Sequence, residues 1–300
     1  MRIAVTGREG QVVQSLIERA AHHGVTVVAV GRPALDLARP ETVLPALRDA
    51  APDLVVSAAA YTAVDKAESE PELAERINGA GAGAVAAAAA AIGVPVVHLS
   101  TDYVFDGTLD RPYREDDPTG PIGAYGRSKL SGERAVAAAN PDHAILRTAW
   151  VYSPFGANFI KTMLRVGATR DELTVVADQQ GCPTAALDIA DAVIAVGRNL
   201  IASRNEASRD EALRGVFHMT GSGSTNWAEF ASTIFSISAR HGGPEARVRP
   251  ITTAEYPTPA RRPANSRLDG TKLTRVHGVT LPDWRLSTER CILRLLAAAA

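Results

Sequence analysis

Short apolar runs and stretches with helical spacing alternate along the first half of the chain. Arg2-Ile3-Ala4-Val5-Thr6 is a short run with strand character. Glycines follow, and then residues 11–23, in which Val12, Val13, Leu16, Ile17 and Ala20 mark one helical face. The same alternation predicts strands at 25–30, 53–58, 95–100 and 143–148, and helices at 40–50, 70–92 and 125–139. Residues 106–123, rich in Gly, Pro and Asp, read as an irregular connection. Strands apolar throughout and separated by helices build a parallel sheet covered on both faces. The expected class is therefore α/β, a doubly wound, Rossmann-like parallel sheet, whose ligands bind beyond the carboxyl ends of the strands.

Past Trp150 the pattern breaks into shorter pieces: a helix at 158–166, a strand at 173–176, a helix at 184–200, a strand at 216–219 and a terminal helix at 286–300. The expected division is a first domain at 1–150, completed by segments within 183–218, and a smaller C-terminal lobe from 151–182 and 219–300. Residues 204–214 are polar and charged and read as a solvated loop or helix end. The alanine-rich run at 80–91 is too short for a hydrocarbon core that needs about 20 residues, so a buried helix is expected.

Composition narrows the partners more than the fold. With 300 residues and 46% hydrophobic content the chain can bury a large core, and a formal net charge of −1 offers no basic field for nucleic acid. Cys182 and Cys291 stand far apart without metal-ligand spacing, and the seven histidines include no helix-borne metal pair. The N-terminal apolar run is shorter than a signal peptide's. A cytoplasmic protein with neither nucleic acid nor membrane as partner is expected.

Chemistry enters at three places. Thr6-Gly7-Arg8-Glu9-Gly10-Gln11-Val12 puts Gly7 and Gly10 between the first strand and the first helix, where a pyrophosphate can approach the helix's free N–H groups. At the end of the second strand stands Arg32, suited to a 2′-phosphate and hence to NADPH, while Asp36 four residues on leaves NADH open. Tyr125 and Lys129, four apart, project from the same helical face. A phenol near pKa 10 can serve as a general acid when a cation stabilises its phenolate, and Lys129 is expected to supply that cation. Thr101, at a strand's carboxyl end, is the hydroxyl expected to hold a substrate carbonyl against Tyr125. Hydride from a nicotinamide and a proton from Tyr125 would together make an alcohol. Trp150 is either core or an apolar wall for a sugar ring, and Arg261, Arg262 and Arg267 suggest a diphosphate.

Beyond these residues, the segments Ala58–Glu68, Ser100–Phe105, Arg147–Tyr152, Asp178–Thr184 and Tyr256–Leu268 resemble the dTDP-4-dehydrorhamnose reductase family, extended members of the short-chain dehydrogenase/reductase superfamily. The resemblance implies NAD(P)H-dependent reduction of the 4-keto group of dTDP-6-deoxy-L-lyxo-4-hexulose to dTDP-L-rhamnose, a donor for surface polysaccharide. It implies that Tyr125 is the proton donor, Lys129 its partner and cofactor ligand, and Thr101 the hydroxyl that tunes them. Cofactor contacts then fall on Gly10, Gln11, Val12, Asp36, Leu37, Ala60, Tyr61 and Thr62, and nucleotide-sugar contacts on Val64, Asp102, Tyr103 and Trp150. Some relatives form Mg2+-bridged dimers, but the bridging carboxylates have no match here, so a homodimer and Mg2+ stay open. Two departures stand out: Val13 replaces the usual third glycine and is expected to push the first helix away from the strand, and Ser57 stands where asparagine is frequent. An epimerase or dehydratase of nucleotide sugars, and a non-catalytic NADP-binding regulatory subunit, are the alternatives.

Overall fold

The computed structural model describes residues 1–204 and 209–298. In chain order the first half runs β1 (Arg2–Thr6), α1 (Gln11–Ala20), β2 (Thr26–Val30), α2 (Val43–Ala50), β3 (Leu54–Ser57), α3 (Val64–Ala67), α4 (Pro71–Glu75), α5 (Gly81–Ala91), β4 (Val96–Thr101), α6 (Ala124–Ala139) and β5 (His143–Thr148). The second half runs β6 (Val151–Tyr152), α7 (Phe159–Gly167), β7 (Glu172–Val176), β8 (Gln180–Gly181), β9 (Thr184–Ala185), α8 (Ala186–Arg204), β10 (Gly215–His218), β11 (Thr225–Asn226), α9 (Trp227–Arg240), β12 (Arg247–Ile251), α10 (Thr271–His277) and α11 (Trp284–Ala297). The helix expected at 70–92 is interrupted by one π turn, Arg76–Ala80, between α4 and α5. Of the charged stretch 204–214, residues 205–208 lie outside the described residues.

Six parallel strands form the main sheet in the order β10-β5-β4-β3-β1-β2. The chain leaves β1 for β2 on one side and then crosses to β3 on the other, so the order reverses at β1 and a crevice opens beyond the carboxyl ends of β1 and β3. Alternation along each strand feeds two cores. Ile3, Val5, Val56, Val97 and Leu146 pack under α1 and α8 with Ile189 and Val193. Ala4, Val55, Val96 and Ile145 pack under α2 and α5 with Leu47, Val85 and Ala89. A smaller core surrounds α9, where Phe230 and Ile234 meet Ile160, Trp284 and Ile292.

Helix α6 is clamped to the sheet by charge as well as by packing. Arg147 on β5 makes a two-pronged pair with Glu133, at 2.8 and 2.7 Å, and Ser100 on β4 donates to the same carboxylate. Both charged side chains are about 5% exposed or less. Near its start, α6 touches backbone directly: a Cβ at Gly126 would lie 2.2 Å from the Tyr103 carbonyl oxygen. Only glycine permits that approach, which sets Tyr125 beside the 102–104 turn.

Candidate active site

The crevice at the switch point is walled by the glycine turn. Gly7 has φ +101°, a conformation costly for other residues. Gly10 precedes helix α1 as its N-cap and provides no side-chain cap, so the helix's first N–H groups stay available to an anion. Thr6 Oγ1 accepts from the backbone N–H of Ala58 and Ala59 at 3.0 and 2.9 Å, joining this turn to the loop after β3. Val13 is buried in the core below the turn; a Cβ at Gly7 would lie 3.5 Å from its Cγ2. Val12 is half-buried against the same core.

At the end of β2 the exposed Arg32 has company that the sequence reading missed. A Cβ at Gly31 would lie 3.1 Å from Arg8 Cγ, so Arg8 of the glycine turn stands beside the same strand end. Asp36 is committed elsewhere: it accepts from Ala38 N at 3.0 Å and faces Arg39 at 4.0 Å. Two guanidinium groups and a preoccupied carboxylate fit the 2′-phosphate of NADPH better than a bare ribose. Leu37 is buried in the core, and its carbonyl oxygen would lie 2.7 Å from a Cβ at Gly81 of α5.

The loop carrying Ala60, Tyr61 and Thr62 is pinned by a second residue outside the expected set. Asn78, buried in the π turn, accepts from Tyr61 N at 2.8 Å and donates to Tyr61 O and Ser128 Oγ, each at 3.0 Å. π turns recur at functional sites, and this one locks the loop after β3 to α6. Gln11 plays a similar part: its Oε1 accepts from Ser153 Oγ at 2.8 Å and Asn158 Nδ2 at 3.0 Å, and its Nε2 reaches Val151 O at 3.5 Å.

Tyr125 is half-buried at the start of α6, with the Tyr103 ring edge-on at 5.6 Å between centroids. Burial drives the phenol's pKa well above its ordinary value; the nearby Asp102 and Tyr103 add to this, and the Thr101 hydroxyl opposes it. Lys129 is one turn on, but its ammonium is directed into the sheet, donating to Leu99 O at 2.7 Å and meeting His98 Nε2 at 3.3 Å. A buried cation needs acceptors, and the β4 backbone provides one. Burial brings Lys129 down to about 8, with Glu133 opposing.

Thr101 Oγ1 donates to Asp102 Oδ1 at 2.9 Å and accepts from Tyr103 N at 3.2 Å. Asp102 is 3% exposed, and its Oδ2 has no partner among the described residues. Burial pushes its carboxyl up to about 6, opposed by the neighbouring Ser266 hydroxyl and the Thr101 hydrogen bond. Since the folded carboxyl holds its proton more tightly than the unfolded chain, its stabilising contribution is full below about 3.8 and is lost as pH rises through about 6. Asp102→Asn should therefore stabilise the fold by about 1–3 kcal/mol at pH 7 and by almost nothing at pH 3. Urea unfolding at the two pH values measures this, and an equal gain at both would rule out ionisation as its cause.

Across the crevice, Arg262 donates to Asp65 Oδ2 at 2.7 Å and to Tyr103 Oη at 3.4 Å, next to half-buried Val64. Arg267 instead ties its loop to the 106–123 connection, donating to Asn265 Oδ1 and to Asp110 O. Trp150 has φ +48°, a strained value for a non-glycine residue. Its indole stacks on Trp227 at 3.6 Å between ring centroids, and a Cβ at Gly181 would lie 2.2 Å from its Cε2. The two stacked tryptophans lie against the core around α9, and Trp227 carried no signal in the sequence beyond its type. Among the described residues no group of three or more His, Cys, Asp or Glu side chains could hold a metal ion, and no helix is long and apolar enough to cross a membrane.

A glycine-lined crevice at the switch point, with a Tyr-x-x-x-Lys helix against β4, defines an extended short-chain dehydrogenase/reductase. The chain belongs to the family described as RmlD substrate binding domain, whose model matches residues 1–297. It is 56% identical to a dTDP-4-dehydrorhamnose reductase of Sinorhizobium fredii, over 99% of this chain and 98% of that one. It is 46% identical to one from Burkholderia thailandensis, over 99% and 100%. Among solved structures, a dTDP-4-dehydrorhamnose reductase of Bacillus anthracis in complex with NADP is similar at a TM-score of 0.87, with 34% identity over 98% of this chain and 99% of that one.

Proposed function

We propose that this protein reduces the 4-keto group of dTDP-4-dehydro-L-rhamnose to give dTDP-L-rhamnose, with NADPH as hydride donor. The observation that carries the reading is Tyr125 on α6, held against the Thr101–Asp102 turn at the mouth of a nucleotide crevice. Tyr125 delivers a proton to the carbonyl oxygen as hydride reaches the carbon, and the raised pKa keeps the phenol protonated at neutral pH. Lys129 binds cofactor and stabilises the phenolate, and Thr101 favours its formation. NADPH, when bound, supplies the hydride. Gly7, Gly10, Gln11 and Val12 hold its diphosphate, Arg8 and Arg32 its 2′-phosphate, and the 60–62 loop its ribose side. Val64, Tyr103, Trp150 and Arg262 receive the nucleotide sugar. The main sheet with its flanking helices serves as cofactor domain, and the segments 151–182 and 219–300 as substrate lobe.

Stoichiometry tests the reaction. The purified protein, mixed with NADPH and the keto sugar nucleotide, is expected to consume one NADPH per alcohol formed. Consumption of none while a sugar isomer or dehydration product appears would assign an epimerase or dehydratase instead. The double variant Arg8→Ala with Arg32→Ala should raise KM for NADPH about 10–100-fold, the loss of charge-assisted hydrogen bonds, while KM for NADH changes little. Equal effects on both cofactors would place these arginines away from the 2′-phosphate.

A further inference from the structure

Behind the Tyr125 helix, three buried polar groups run in series through the sheet. Ser57 at the end of β3 and His98 on β4 are register partners across the two strands, and each is 1% exposed. His98 Nδ1 lies 3.1 Å from Ser57 Oγ, and Nε2 lies 3.3 Å from Lys129 Nζ. The same ammonium donates to Leu99 O at 2.7 Å.

An ammonium group has donors only, so His98 Nε2 must accept. The imidazole is then neutral, its proton sits on Nδ1, and that proton is given to Ser57 Oγ. Burial also favours the uncharged ring, and the neighbouring Lys129 and His143 push the same way. The three N–H bonds of an ammonium are tetrahedrally arranged. Once two are held by His98 and Leu99, the direction of the third is settled. A core histidine that merely filled space would leave that rotor free.

We propose that His98 is a positioning residue for Lys129: with the Leu99 carbonyl it takes two of the three N–H groups and so aims the third at the ligand, while Ser57 keeps His98 in the accepting tautomer. The inference rests on the reading of Lys129 as the partner of Tyr125 and the cofactor.

The test compares kcat, KM for NADPH and melting temperature in His98→Phe, His98→Gln, Lys129→Met and the double variant His98→Phe with Lys129→Met. His98→Phe should lower kcat about tenfold or more, as expected for a misaimed catalytic group. His98→Gln, whose Oε1 can replace the accepting nitrogen, should stay within about threefold of the parent. The double variant should be no slower than Lys129→Met alone, because a residue acting through another has nothing left to remove. Multiplying losses, or an equal fall in Phe and Gln variants, would overturn the proposal while leaving Lys129 in its role. Wild-type kcat in Lys129→Met would instead remove the role of Lys129, and this proposal with it. Should His98→Phe not fold, Ser57→Ala gives the same reading: a loss of about threefold or more in the parent and none in the Lys129→Met background supports the proposal, and any other pattern overturns it.

Discussion

Tyr125→Phe is expected to lower kcat by about two to four orders of magnitude, the contribution of a positioned general acid, while the Kd for NADPH stays within about twofold. The substitution removes one oxygen and leaves the ring in its contacts with Tyr103 and the small apolar cluster of Ala67, Ala74 and Ala124. Nothing in the fold should change, so an unaltered melting temperature accompanies the loss. Stopped-flow measurement of NADPH oxidation separates the chemical step from release. A variant that oxidises NADPH at the parent's rate would mean that another group delivers the proton, and Asp102, close behind Thr101, would be examined first.

Glu133→Ala is expected to cost about 3–5 kcal/mol of stability, because it strands the Arg147 guanidinium in a site where each partner is about 5% exposed or less. Arg147 Nη1 already has no partner among the described residues, so the loss of Glu133 leaves a buried cation with little but the Phe105 ring 5.0 Å away. Chemical denaturation at neutral pH measures the loss directly. Exchanging both partners for apolar residues of similar volume should recover much of it. If the single and double changes were equally damaging, packing rather than stranded charge would be the cause.

The order of strands and helices was legible because each strand of the main sheet is apolar on both faces and each helix is amphipathic or alanine-rich. That pattern depends only on local periodicity. Residues 220–285 were not legible as elements: α9 carries its apolar residues at helical spacing, but β11 and β8 are two-residue ribbons whose pairing depends on distant chain. At the site, spacing located Tyr125 and Lys129 on one helix but not the direction of the ammonium. That direction depends on His98 and Leu99, contributed by a strand some thirty residues earlier. Asn78 and Trp227 were missed for the same reason: an asparagine inside a helix and a tryptophan at a helix start mean nothing until a fold supplies their partners. Arg8 was within reach, since it lies inside the glycine turn itself.

Gln11 touches both halves of the molecule, standing at the start of α1 and bonding to Val151, Ser153 and Asn158. Any swing of the later segments away from the main sheet must break these bonds together, at the spot where the dinucleotide's phosphates would rest. If that spot receives the coenzyme's phosphates as proposed, a single amide side chain ties it to the segments that follow β5.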